Sequence, residues 1–128
     1  MRLCVGLASS LGTRANSTTT RAKVQEVIVS DVVIVLTTIT EERADELART
    51  LVDERLAACV NVHGPMTSIY RWKGAVEEEP ERQLVIKTAR ARLPDIEARL
   101  RALHPYELPE FIVLGAEASA AYGQWVRA

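Results

Sequence analysis

The side chains best suited to chemistry gather in one short stretch, His104-Pro105-Tyr106-Glu107-Leu108-Pro109-Glu110. Two prolines hold it extended and stiff. It offers an imidazole, a phenol and two carboxylates between a helix and a strand. Imidazole suits Cu²⁺ and Zn²⁺, and a carboxylate can complete a weak site, so a metal ion or a small polar ligand is one reading. The other is a rigid connector, in which His104 caps a helix C-terminus, where a cation is favoured, and Tyr106 packs. A second concentration is Ser68-Ile69-Tyr70-Arg71-Trp72-Lys73-Gly74, near a hairpin tip. Tyr, Trp and Arg are favoured anchors in contacts between chains, so oligomerisation is expected there. The competing role for Trp72 is packing on the chain's own third helix. Lys87 follows the apolar Leu84-Val85-Ile86 and by itself reads as an exposed lysine near a strand end.

Other chemistries lack their residues. No HxxxH or CxxC pair spaces metal ligands. Gly64 and Gly74 are isolated turn glycines, so no phosphate loop is present. The two cysteines, Cys4 and Cys59, are too few for a disulfide framework and indicate a reducing compartment, the cytoplasm. Cys59, between Ala58 and Val60, reads as a small buried hydrophobe. No nucleophile lies beside a base, so no enzyme is expected. The 16 basic and 17 acidic side chains leave a net charge of -1, which argues against nucleic acid as a partner. No apolar run approaches the roughly 18–20 residues that span a bilayer, so no membrane is expected either.

The elements that must position these residues follow from periodicity. A chain of 128 residues suits one domain. Val32-Val33-Ile34-Val35-Leu36 is a β-branched strand. Thr40 stands as an N-cap before Glu41 and Glu42, and Ala44, Leu47, Ala48, Leu51 and Val52 give an amphipathic helix over about 41–55. Ala57–Val62 is a strand interrupted at His63-Gly64-Pro65 and resumed at Thr67. Lys73-Gly74 turns it back through Val76–Glu79 and Arg82–Thr88, with Pro80 requiring a bulge or an edge. Leu93-Pro94-Asp95 opens a second helix with Ile96, Leu100 and Leu103 on its apolar face, ended by His104-Pro105. Phe111–Leu114 is a last strand and Ala118–Val126 a short closing helix. The order predicts an α+β ferredoxin-like βαββαβ sandwich with a long hairpin.

Residues 1–30 read differently. Up to Gln25 the chain has Arg2, Arg14, Arg21 and Lys23 but no acid, and Ser17-Thr18-Thr19-Thr20 is polar. This is a flexible extension or, alternatively, an organellar targeting segment. The folded domain is expected over 31–128.

Taken together, Leu56-Ala57-Ala58-Cys59-Val60-Asn61, Ser68 to Gly74, Ile86-Lys87-Thr88 and His104-Pro105-Tyr106-Glu107 with Pro109-Glu110 resemble the CutA family of divalent-cation-tolerance proteins. The resemblance covers about residues 31 to 128. It implies a homotrimer of ferredoxin-like protomers, and clefts between subunits where Tyr70, Trp72, Lys87 and Tyr106 meet. It further implies binding of copper or another divalent heavy-metal ion in response to metal. Some relatives carry a cysteine at the end of the first strand, where this chain has Leu36-Thr37-Thr38, and a second histidine where it has Leu103. The expected metal ligands are therefore His104 with Glu107 or Glu110, holding the ion weakly. The alternative function is a PII-like trimeric sensor of a small anionic metabolite, in a cleft lined by Tyr70, Lys87, His104 and Glu110. A purely structural trimer is the third.

Overall fold

The computed structural model describes residues 31–128; the extension expected over residues 1–30 lies outside the described residues. The elements are β1 (Val32–Thr40), α1 (Glu41–Asp53), β2 (Cys59–Trp72), β3 (Ala75–Ala89), a 3-10 turn (Arg90–Arg92), α2 (Leu93–Leu103), β4 (Ile112–Ala116) and α3 (Ala120–Arg127). The strands form one antiparallel sheet in the order β2-β3-β1-β4. This is the expected ferredoxin-like α+β fold.

Alternation along β1 sets the layers. Val33, Val35, Thr37 and Ile39 are buried, while Ile34, Leu36, Thr38 and Thr40 between them are only half-buried. The buried face meets α1 and α2: Val35, Ile39, Leu84 and Ile86 pack with Leu47, Leu51, Ile96 and Leu100 in one cluster. Burying each of the larger side chains contributes about 1.5–3 kcal/mol. The opposite face carries Ile34, Leu36 and Val85 together with Ile112 and Leu114, each of the last two 46% exposed. Register places Leu36 opposite Val85 and Ile112, and Ile34 opposite Leu114, so these residues form one apolar surface.

Helix α1 is shorter than its sequence pattern. It ends at Asp53 because Arg55 takes a left-handed conformation, φ 62, and Arg92 holds the Arg55 carbonyl at 2.6 Å. Thr40 stands at the N-cap position but its side chain makes no capping bond; Glu41 and Glu42 still complement the helix dipole. Ser119 caps α3 by accepting from the Tyr122 amide at 3.2 Å. That cap places the helix start at Ala120 rather than Ala118.

The β2–β3 hairpin outruns the sheet. β1 ends at Thr40, opposite Glu81, so Ala75–Pro80 pairs with Thr67–Trp72 alone. Pro80 falls where β3 has just lost its β1 neighbour, the edge position that a residue without an N–H requires. The irregularity expected around His63-Gly64-Pro65 is a shift of register between His63 and Met66 within a single strand. Lys73 and Gly74, φ 51 and 86, close the hairpin as a type I′ pair.

Gly64 is fixed by two constraints: a φ of 134, and Arg82 Cγ 2.8 Å from where a Cβ would stand. Gly74 has only the first, since nothing lies within 4 Å of its added Cβ. Gly64→Ala should therefore cost about 1–3 kcal/mol, and more than Gly74→Ala. Chemical denaturation of the two variants measures this; equal losses would show that contact with Arg82 is not what selects glycine.

Candidate functional site

A groove of about 850 Å³ lies beneath the overhanging hairpin. Its floor is the face of the hairpin that carries Ser68, Tyr70 and Trp72 from β2 with Glu79 and Glu81 from β3. These come together because Ser68 pairs with Glu79 and period-2 alternation sends every second side chain the same way. The wall is the chain from Tyr106 to Ile112.

Three side chains stitch that wall to the sheet. The Tyr106 hydroxyl donates to the Glu81 carboxylate. Gln83 Nε2 donates to Glu110 Oε2 at 3.3 Å. His104, 8% exposed, stands behind the wall with both ring nitrogens engaged. Its Nδ1 accepts from the Tyr106 amide at 3.2 Å, so Nε2 carries the proton and donates to the Thr38 carbonyl at 2.8 Å. The His104 and Tyr106 rings meet edge to face at 4.5 Å.

The groove is negative. Glu79, Glu81, Glu107 and Glu110 line it, and its lining includes no Lys, Arg or His. Burial, opposed by the Gln83 hydrogen bond and helped by Glu81, pushes the Glu110 carboxyl above its ordinary value. Burial and the bond to Glu81 push the Tyr106 phenol well above its own. Tyr70 is raised in the same direction by burial and by Glu79, Glu77 and Glu81. Burial pulls His104 below its usual value, against the Thr38 carbonyl and Glu81 that favour its charged form, while Arg43 adds to the lowering.

The residues singled out in the sequence divide within one protomer. Tyr70, Trp72, Tyr106, Glu107 and Glu110 line the groove. Lys87 does not: it pairs with Cys59 and Ile34, ten residues along β3 from Glu77, the partner of Tyr70, which is about 33 Å of strand. His104 does not face the groove either, and it is no cationic cap, because burial favours its neutral ring. Among the described residues no three His, Cys, Asp or Glu side chains are placed to hold a metal ion, so His104, Glu107 and Glu110 make no such cluster within one protomer. Cys59 is half-buried rather than buried. Trp72 does not rest on α3; Tyr122 and Trp125 of that helix stack on each other at 5.4 Å, and Lys73 Nζ lies 5.6 Å from the Trp72 ring centroid. Sequence reasoning missed Glu79 and Glu81. Their signal was acids at alternate positions 77, 79 and 81, which share one face of a strand.

Helices over a four-stranded antiparallel sheet, with a groove under an overhanging hairpin, define a ferredoxin-like α+β protein built around an exposed ligand-sized cleft. The chain belongs to the CutA1 divalent ion tolerance family, whose model matches residues 32–128. It is 46% identical over 96 residues to the divalent-cation tolerance protein CutA of Thermus thermophilus, covering 74% of this chain and 93% of that one. It is 33% identical over 122 residues to Protein CutA, chloroplastic, of Arabidopsis thaliana, covering 94% of this chain and 67% of that one. The structure of a PII-like protein CutA from Nostoc, in apo form, superposes with a TM-score of 0.71 at 39% identity, over 74% of this chain and 93% of that one. The chain spans about half the length of the human, mouse and cattle relatives it matches. Among the described residues no helix is long and apolar enough to cross a membrane.

Two titrations test the site. The folded chain resists protonating His104, so between about pH 6.5 and the lowered folded value the unfolded state binds the extra proton. Stability should be full above pH 6.5 and fall as pH drops below it, and His104→Gln should remove that slope while costing about 2 kcal/mol at pH 8. Unfolding curves from pH 5 to 8 decide it; an unchanged slope in the variant would exclude His104 as its source. Glu110 has the opposite sign: its raised value favours the protonated acid, so the ionised carboxylate costs stability as pH rises through that value. Glu110→Gln should therefore raise the melting temperature at pH 7, and a lowered one would show that the Gln83 contact outweighs burial.

Proposed function

We propose that the protein is a homotrimeric binding protein, not an enzyme, whose groove takes a cationic ligand within the divalent-cation tolerance role of its family. The observation that carries the reading is the lining itself: four carboxylates and no basic side chain around a cavity of ligand size. The apolar face of Ile34, Leu36, Val85, Ile112 and Leu114 supports assembly, since a second copy is the simplest cover for it. The same holds for Ile69 and Val76 on the overhang, 66% and 64% exposed. Three-fold closure is the arrangement that the family resemblance implies.

A divalent ion such as Cu²⁺ or Zn²⁺ would meet carboxylate oxygens in the groove and be held weakly. Drawing His104 into its coordination would sacrifice the ring's bond to Tyr106 or to Thr38. A PII-like sensor of an anionic metabolite is the second reading. It needs the Lys87 of a neighbouring copy to offset the glutamates. The place of action is the cytoplasm in this reading; a targeting role for residues 1–30 would move it to an organelle, as the name of the Arabidopsis relative indicates for that protein.

Sedimentation at low micromolar concentration should give the mass of three chains, and Leu114→Glu should dissociate them. A wild-type monomer would sink the assembly. Calorimetric titration with Mn²⁺, Cu²⁺, an organic ammonium salt and ADP, each into wild type and Glu79→Gln, tests the ligand. Saturable uptake of a cation that weakens in the variant is the expected outcome; saturable uptake of ADP alone would replace this reading by the anionic one.

A further inference from the structure

We infer that the groove is a receptor for an organic ammonium ion, with aromatic rings and carboxylates together selecting a soft cation over a hydrated metal. This rests on the reading of the groove as a cation site. Tyr70, Trp72, Tyr106 and Phe111 share the lining with the four glutamates. A bare metal ion needs several oxygens converging at bond distance. No such group of three ligands exists among the described residues. Aromatic faces contribute nothing to an ion that keeps its water shell.

An alkylated ammonium has the complementary chemistry. Its charge is spread over a surface of methyl or methylene groups, which lie against ring faces that are electrostatically negative. The surrounding carboxylates need not touch it; at several ångströms they still favour a positive occupant. A tethered ammonium already approaches one of these rings, Lys73 Nζ at 5.6 Å from the Trp72 centroid. The cavity, about 850 Å³, has room for the hydrocarbon part as well as the charge. The Glu110 carboxyl and the Tyr70 and Tyr106 phenols are biased toward their neutral forms, and a cation would relieve that bias.

Tetramethylammonium chloride is the probe, titrated into the full chain in phosphate buffer with sodium chloride at equal ionic strength as the control. Saturable binding is expected. It should weaken at least tenfold in Tyr70→Ala and in Glu79→Gln, and stay within about twofold of wild type in Tyr70→Phe, which keeps the ring. Tyr70 is 41% exposed and Glu79 is exposed, so all three variants should fold, which melting curves check. Binding that Tyr70→Phe abolishes as fully as Tyr70→Ala would overturn the inference, because the hydroxyl rather than the ring would be responsible. Mn²⁺ binding that Glu79→Gln weakens, with no saturable heat from tetramethylammonium, overturns the inference and leaves the cation site standing. Binding of neither cation overturns both.

Discussion

β2 and β3 run for 14 and 15 residues while β1 runs for 9, and this mismatch of strand lengths shapes everything around the site. A sheet stabilises its strands through neighbours and through a covered face. Beyond Thr40 the hairpin has neither β1 beside it nor α1 or α2 beneath it. What the overhang gains is a floor with two usable sides. One side meets the wall from Tyr106 to Ile112 and becomes a groove. The other leaves Val76 in water unless another chain covers it. Pro80 fits the same constraint, since the last residue paired across to β1 is its neighbour Glu81.

The wall is held by contacts that reach different strands. His104 bonds to the β1 backbone, while Tyr106 and Glu110 bond to β3. Negative charge in the groove is then coupled to the same stitches, because Glu81 both anchors Tyr106 and lies in the lining. A ligand that altered the field around Glu81 would act on the position of the wall as well as on the floor. Protonating His104 at Nδ1 would break the bond from the Tyr106 amide and act on the wall from behind.

Much of the fold was legible because period and punctuation agreed. The β-branched run at Val32, the helical spacing from Ala44 to Leu51, the Lys73-Gly74 turn and the Leu93-Pro94-Asp95 start all stand where the residues place them. The end of α1 was less legible, since the left-handed Arg55 depends on a tertiary bond from Arg92 that no local pattern announces. At the site, Tyr70, Trp72, Tyr106, Glu107 and Glu110 were identifiable by type and clustering, and the structure gathers them. Glu79 and Glu81 were hidden in a strand, where an acid looks like ordinary solvent-facing alternation until the register sets it opposite a wall. The position of Lys87 was set by strand distance, which residue type does not reveal.

His104 shows why residue type alone overstates reactivity. An imidazole has two nitrogens, and as a ligand or a base it must keep a lone pair available. Here the single lone pair, on Nδ1, is taken by the Tyr106 amide, and the single N–H by a carbonyl. Burial makes the exchange mutual: the ring satisfies two backbone groups that would otherwise be stranded, and those groups fix its tautomer. The reactive-looking side chain is thereby converted into a strut. The chemistry passes to neighbours whose polar groups are not used up, the glutamates and the ring faces of the groove. A cation recognised there is recognised by a field and a surface, which demand less exact geometry than a coordination sphere.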